Sequence, residues 1–319
     1  GNLKKTLLLC NSVFFWNKFT QNIYINKMKK LIIIFFLFPL VILGQEIRSD
    51  FSLYFLQYST YKQEFHEKDL LPSSFFAKNR QALRDSMPAN SMAILFSNPI
   101  RNRSNDVDYE YHQEPNFFYL SGLNEPHAAI IIYKEDQEFD SDLKTNEILF
   151  IRERNLRDEK WTGKRLDIEE TRLSLGLSTV MTTERFLSFE NQYKNFNNVY
   201  SFKEVEDVKN NPQKDDLFGL LQSFKAKTEN NSNNNNRNLH LIMASLRQIK
   251  SKEEIILLRK AIDITCDAQI ELMKALRPGM KEYESEAIIE YVFKKNGAEH
   301  PGFPSILGGG ENSCIIHYN

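Results

Sequence analysis

Histidine, cysteine and carboxylate side chains are the groups in this chain that could act as acids, bases, nucleophiles or metal ligands. His112 lies two residues before Glu114, and His127 lies two residues after Glu125. Neither pair has the His-Glu-x-x-His spacing that places two imidazoles on one helical face to bind zinc. Both histidines are therefore predicted to be surface or core residues rather than metal ligands.

A further histidine, His317, lies at the end of a segment that begins with the glycine run 308–310. The run follows a loop rich in proline and glycine, and residues 313–318 are predicted to form a strand that enters a site. A single histidine is more often structural than catalytic. Residue type alone therefore leaves the role of His317 open.

The cysteines do not form a disulfide framework. Cys10 lies in the first 27 residues, and only Cys266 and Cys314 belong to the body of the chain. Both have apolar neighbours, so each is predicted to be a small buried hydrophobe rather than a nucleophile.

Short apolar runs alternate with helical patterns over the first half of the chain. Strands are predicted at 92–96, 128–133 and 147–151, and helices at 75–85 and 169–175. Such alternation is typical of an α/β domain, which is placed at residues 66–225.

A polar, asparagine-rich tract follows that domain. Residues 226–238 are predicted to be a linker, because the tract has almost no apolar side chain that could offset the entropy lost on ordering. A further strand is predicted at 239–243, and residues 239–319 are assigned to a second domain.

The second domain begins with the clearest local signal in the sequence. Ser251 and Glu254 are spaced as a capping box, which predicts a helix that continues to the Pro-Gly pair at 278–279. Its apolar stripe is predicted to face a core and contains Ile255, Leu258, Ile262, Cys266, Ile270 and Met273. A second helix is predicted from about Lys281 to a left-handed cap at Gly297, with its buried face at 287, 288, 291 and 292.

The N-terminal region is typical of an exported protein. Lysines follow Met28, then residues 31–43 carry no charge, and Gly44 precedes a possible mature terminus at Gln45. Residues 28–44 are therefore predicted to be a cleavable signal peptide and the protein to be secreted or periplasmic, while a permanent membrane span would need a longer segment. Residues 1–27 are interpreted as an upstream extension outside the native fold.

The charge balance gives little reason to expect a nucleic-acid partner. The chain has 41 basic and 42 acidic side chains and a formal net charge of -1. No global field would attract a polyanion, so nucleic-acid binding is not predicted.

Several ordered blocks resemble the aminopeptidase P family. Three of them are similar to the opening of that family's "pita-bread" catalytic domain: Arg-Gln-Ile-Lys-Ser-x-Glu-Glu-Ile at 247–255, Arg-Pro-Gly-Met-x-Glu-Tyr at 277–283 and Gly-Gly-Gly-Glu-Asn-x-Cys-Ile-Ile-His-Tyr at 308–318. Others are similar to its creatinase/prolidase-type N-terminal α/β domain: Asp-x-Asp-Tyr-x-Tyr at 106–111, Asn-Phe-Phe-Tyr-Leu-Ser-Gly at 116–122 and Glu-Pro at 125–126. The order of the blocks over two domains makes chance agreement improbable.

The resemblance implies a metal-dependent exopeptidase that acts on peptides with proline in second position. It implies two divalent metal ions, manganese in relatives, held by two Asp, one His and two Glu that follow Asn319. On this basis the 319 residues alone are expected to lack the metal site and to be inactive, and the full-length enzyme is expected to be a homo-oligomer. The resemblance also assigns His317 to substrate binding and transition-state stabilisation.

Two other readings of the function stay open at this stage. A prolidase-type dipeptidase or a creatinase would share the fold, and a substrate panel separates them from an aminopeptidase. A non-catalytic, peptide-binding module on the same fold would lack the downstream metal ligands.

Overall fold

The computed structural model divides the described part of the chain into two compact units, Leu71–Lys250 and Ser251–Asn319. Described residues are 71–140, 143–189, 193–202, 216–228 and 236–318. The predicted extension at 1–27 and signal peptide at 28–44 lie outside them. Within these ranges, no helix has the length and apolar character needed to span a bilayer.

The first unit is built around a five-stranded mixed sheet. The elements of this unit are α1 (Ser73–Ser86), β1 (Ser91–Phe96), β2 (Asn102–Ser104), β3 (Val107–Asp108), α2 (Pro115–Ser121), β4 (Ala129–Asp140), β5 (Leu143–Ile151), α3 (Glu159–Thr162), α4 (Ile168–Leu175), β6 (Val180–Thr182), α5 (Thr183–Ser188), a 3₁₀ turn (Tyr193–Asn195), β7 (Asn198–Ser201), α6 (Leu217–Thr228) and α7 (Asn236–Gln248). The strand order in the sheet is β6-β5-β4-β1-β7. The α/β class predicted from the sequence is confirmed, as are the three strands and both helices predicted before residue 176.

Both faces of the central strands are buried. Alternate residues of β1 pack into different hydrophobic clusters, Ala93 and Leu95 into one and Met92 and Ile94 into the other. A strand covered on two sides has no solvent face, which explains the continuous apolar run in the sequence. The strand is antiparallel to β4 and parallel to β7.

A buried ion cluster connects α1 to the sheet. The Arg80 guanidinium, fully buried, donates from Nε and Nη2 to the Glu147 carboxylate at 2.9 and 3.2 Å. Arg84 donates to the same carboxylate at 2.8 Å. Burial by itself would raise the pKa of Glu147, but the hydrogen bonds and charges of the two arginines outweigh it and hold the pKa below its usual value.

Helix α7 replaces the strand predicted at 239–243, so that prediction was wrong. Leu239 and Met243 are buried while Leu241 is exposed, which is the pattern of one helical face rather than of a strand, where all three would share a side. Helix α6 extends to Thr228 and α7 begins at Asn236, so both ends of the predicted linker range 226–238 are helical. The division between units falls after Lys250.

The C-terminal end of α7 is fixed to α2. Arg247 Nη1 donates to Asn116 Oδ1 at 2.7 Å, and its guanidinium lies 6.0 Å from the centre of the Tyr119 ring. The Tyr119 hydroxyl in turn donates to the Leu246 carbonyl at 3.3 Å. Helix α7 therefore belongs to the first unit through polar as well as apolar contacts.

The second unit contains a helical pair, α8 (Lys252–Ala275) and α9 (Glu282–Lys295), followed by a 3₁₀ helix (Gly310–Cys314). The predicted capping box is confirmed: the Ser251 side chain accepts from the Glu254 backbone N–H, and the Glu254 carboxylate accepts from that of Ser251. The left-handed cap is also confirmed, with Gly297 at φ 82°.

The apolar stripe predicted to face a core on α8 is largely exposed. Leu258, Ile262 and Met273 are 46%, 58% and 65% exposed, and Cys266 is exposed as well. The buried residues of α8 are instead Ala268 and Leu272, which face α9. On α9, Ser285, Ile289 and Val292 are buried and Ile288 is partly buried against the same cluster, so two of the four residues of the predicted face, 288 and 292, face the cluster. A pair of helices can cover only one side of each other, and this leaves the rest of the stripe open.

We expect Glu147→Gln to lower the free energy of unfolding by about 3 kcal/mol, because two largely buried guanidinium groups would lose their counter-charge. Urea unfolding at pH 7 measures this. The stabilisation is complete above the usual glutamate pKa of about 4.3 and is lost as the pH falls through the lower pKa of folded Glu147, so the advantage of the unchanged protein should shrink below about pH 4.

Glu169→Gln is the matched control, since Glu169 pairs with Arg172 at 2.9 Å on the exposed surface of α4. It should cost less than about 1 kcal/mol. Equal unfolding curves for the Glu147 variant and the unchanged protein would contradict the assigned role of the buried cluster.

Limited proteolysis should cleave the second unit before the first. Its hydrophobic cluster has five buried residues, against 18 and 14 in the two clusters of the first unit. Few buried apolar contacts imply a low free energy of local opening. Mass spectrometry of the first fragments would locate the cuts, and equal resistance of residues 251–318 and 71–250 would refute the expectation.

Candidate active-site entrance

His317 lies in an irregular segment after the 3₁₀ helix and is exposed to solvent. The strand predicted at 313–318 is absent from the described residues, because 310–314 form the 3₁₀ helix and 315–318 continue as a turn. Ile315 and Ile316 are 52% and 83% exposed, and no described residue of the second unit forms a strand with which they could pair. The imidazole makes no hydrogen bond within the described part of the chain.

The segment that carries His317 is held by one carboxylate at the start of α9. Glu282 accepts from the Gly309 backbone N–H at 2.5 Å, from Asn312 Nδ2 at 3.1 Å and from the Tyr318 hydroxyl at 2.7 Å. Asn312 Nδ2 also donates to the Tyr318 hydroxyl at 2.9 Å. Four residues that are up to 36 positions apart therefore form one closed hydrogen-bond network.

The network sets the protonation of its members. The backbone N–H of Gly309, then Tyr318 and Asn312, hold the pKa of Glu282 below its usual value. The hydrogen bond to Glu282 raises the pKa of Tyr318, so the phenol stays protonated and remains a donor. An ionised carboxylate can only accept hydrogen bonds, and here it receives three.

Two glycines of the run serve different purposes. A Cβ added to Gly308 would lie 2.8 Å from the Asn312 carbonyl carbon, so the absence of a side chain lets two backbone segments approach closely. Gly310 has open space around it but adopts φ 58°, the left-handed region that favours glycine. The run therefore folds the chain back towards Glu282.

A separate cavity of about 340 Å³ lies between α8, α9 and the loop that follows α9. Its lining is mostly apolar and includes Ile264, Ile289, Phe293 and Leu307, and His317 is not among the lining residues. The buried Asn296 Oδ1 at its edge has no hydrogen-bond partner within the described residues. The cavity volume is in the range of small-molecule sites. The cavity is distinct from residues 308–318, which carry His317.

Three members of the histidine and glutamate pairs in the first unit, His127, Glu125 and Glu114, accept hydrogen bonds from backbone N–H groups. The His127 Nδ1 atom accepts from the Leu217 backbone N–H at 3.1 Å, and the Glu125 carboxylate accepts from that of Leu166 at 3.1 Å. Glu114 caps α2 by accepting from the Phe117 N–H at 2.5 Å. Burial raises the pKa of Glu125.

Neither cysteine of the body behaves as predicted. Cys266 and Cys314 are both exposed rather than buried. Cys266 lies on the open stripe of α8, and Cys314 ends the exposed 3₁₀ helix, so in neither place do neighbouring elements cover the thiol.

Across the ranges that the structure describes, no three or more His, Cys, Asp or Glu side chains are grouped so that they could hold a metal ion. Of the candidate catalytic residues predicted from the sequence, only His317 lies within residues 308–318. Glu282 was noted from the sequence only as part of the block at 277–283, and its contacts with the loop were missed because they depend on how residues 308–318 fold back.

Two family matches follow one another along the chain. Residues 76–202 match the aminopeptidase P N-terminal domain, and residues 256–319, which include Glu282 and His317, match metallopeptidase family M24. The order of these matches defines an M24-type metallopeptidase with an aminopeptidase P N-terminal domain, and family M24 implies divalent metal ions.

Similar proteins agree with this class. The Xaa-Pro aminopeptidase of Escherichia coli strain K12 is 33% identical over 251 residues, which are 76% of this chain and 54% of that protein. The Xaa-Pro aminopeptidase of Haemophilus influenzae is 30% identical over 249 residues, 78% of this chain and 54% of that protein. The structure of E. coli aminopeptidase P in its low-pH form has a TM-score of 0.65 and 29% sequence identity, covering 78% of this chain and 55% of that one.

The chain therefore belongs to the aminopeptidase P family. Its fold is that family's N-terminal α/β domain followed by part of the catalytic domain. It spans about half the length of the curated relatives that it matches.

Proposed function

We propose that the protein to which this chain belongs is a metal-dependent aminopeptidase that releases the N-terminal residue from peptides with proline in second position. The observation that carries the proposal is the placement of His317 within the region that matches family M24, on a segment that Glu282 holds in place. The names of the two bacterial relatives support the same substrate class.

The proline substrate sets a particular physical problem. The nitrogen of an Xaa-Pro bond has no hydrogen to donate, and the ring fixes φ near about -65°. An enzyme for this bond must recognise the ring and the carbonyl oxygen instead of the scissile N–H. E. coli aminopeptidase P has also been solved with the inhibitor Pro-Leu, a dipeptide that begins with the residue on the leaving side of such a bond.

His317 is proposed to donate a hydrogen bond to the substrate and to the oxyanion that develops on its carbonyl. The exposed imidazole leaves both ring nitrogens open to a peptide, since neither hydrogen-bonds to a described residue. A preorganised donor of this kind stabilises the transition state more than the ground state.

The ligands of the two divalent metal ions, proposed to be manganese as the family resemblance implies, are proposed to lie in the part of the relatives that the 319 residues do not span. The protein is also proposed to work as a homo-oligomer.

His317→Ala in the full-length gene product should lower kcat on an Xaa-Pro-Yaa tripeptide by about 100-fold, because one transition-state donor is lost. His112→Ala is the control, as His112 is exposed in the first unit, and it should change kcat by less than about twofold. Activity should disappear on chelation and return with Mn²⁺. Equal kcat for the two variants would contradict the role of His317.

A substrate panel separates the proposed activity from its competitors. Xaa-Pro-Yaa peptides should be cleaved, whereas Xaa-Ala-Yaa peptides should not. Cleavage of Xaa-Pro dipeptides alone would identify a prolidase-type enzyme. Binding of peptides with no hydrolysis in the presence of Mn²⁺ would identify a non-catalytic module.

We further propose export through the signal peptide at 28–44. N-terminal sequencing of the protein from a secreting host should find Gln45 as the first residue. Ile42→Ala should speed processing, because a small residue is preferred three positions before the cut. Recovery of an intracellular protein that still contains Met28 would rule out export by this route.

A further inference from the structure

Glu282, at the start of α9, hydrogen-bonds through its side chain to residues 308–318. Its carboxylate contacts both ends of that segment, Gly309 at the start and Tyr318 at the end, and Asn312 between them. A second α9 contact, from Ser305 to Glu290 at 3.2 Å, lies before the glycine run. Glu282 therefore controls the segment that carries the candidate histidine.

The geometry restrains the chain on either side of His317. Tyr318 follows His317 directly, and its hydroxyl both donates to Glu282 and accepts from Asn312. Fixing the side chain next in sequence restricts the backbone at His317, while the imidazole itself stays exposed. The closed network thus orders the backbone without occupying the ring.

We propose that Glu282 is a positioning residue that holds the His317 imidazole at the substrate through Tyr318 and Asn312. The expected effect on kcat rests on the proposed aminopeptidase function. The expected effect on the position of His317 rests on the hydrogen-bond geometry alone. Glu282 does not contact the substrate in this proposal. It acts as the outer support that orients a ligand-binding side chain.

Glu282→Gln tests the proposal in the full-length enzyme, since it keeps the shape of the side chain but replaces one acceptor oxygen by a donor. We expect kcat on an Xaa-Pro-Yaa tripeptide to fall at least about tenfold with KM changed less than about twofold, as for other supporting residues. Tyr318→Phe should give a similar loss. The double variant should lose no more than either single variant, because both changes break the same network.

Glu286→Gln is the matched control, because it lies one turn further along α9 outside the network. It should leave kcat and KM unchanged. A loss of kcat in the Glu286 variant equal to that in the Glu282 variant, or additive losses in the double variant, would overturn the proposal. Glu282→Asp, which keeps the charge on a shorter side chain, should recover part of the activity.

A second readout does not depend on catalysis. The imidazole carbon-bound protons of the full-length protein can be followed by NMR, and the His317 signal can be assigned by its loss in His317→Gln. Glu282→Gln should move this signal while Glu286→Gln should not. A shift in a protein without peptidase activity would support the positioning role and refute the proposed function, and an unmoved signal would refute the positioning role.

Discussion

A buried carboxylate is stable in its ionised form only when positive charge lies close to it, and two arginines of α1 provide this charge for Glu147. The three side chains join α1 to β5, while a further Arg80 donor reaches the Leu120 carbonyl at the end of α2 at 3.0 Å. This buried cluster thus holds α1, α2 and the sheet in one arrangement, because moving any of them would separate the buried charges from their partners. The first unit is therefore held together by a buried charge cluster as well as by its hydrophobic core.

The second unit repeats this principle with a more exposed carboxylate. Glu282 accepts three hydrogen bonds and joins two of the blocks that carry the family resemblance, the Arg-Pro-Gly-Met-x-Glu-Tyr run and the glycine-rich run. In the first unit, Arg247 of the 247–255 block donates to Asn116 of the 116–122 block. These polar contacts give a physical reason for the residue types at these positions of the blocks.

The sequence predicted features that depend on neighbours along the chain and missed those that depend on distant ones. The Ser251 capping box needs residues three positions apart, and it was predicted correctly. The Arg80–Glu147 contact spans 67 positions and leaves no periodic trace. At 239–243 the apolar spacing fits a strand and a helix equally, and only the burial of Leu239 with Met243 decides it. At the site, His317 was identified by motif context, whereas Glu282 required knowledge of how the glycine run turns back.

All members of the two larger hydrophobic clusters lie between Leu83 and Met243. Once the first unit has left the ribosome, all side chains of its two hydrophobic clusters are therefore available for folding. The open stripe of α8 is in the opposite situation, since α9 covers only part of it. During synthesis the first unit would thus be able to fold while the apolar stripe of α8 is still exposed. Chaperones would be needed for α8 rather than for the first unit.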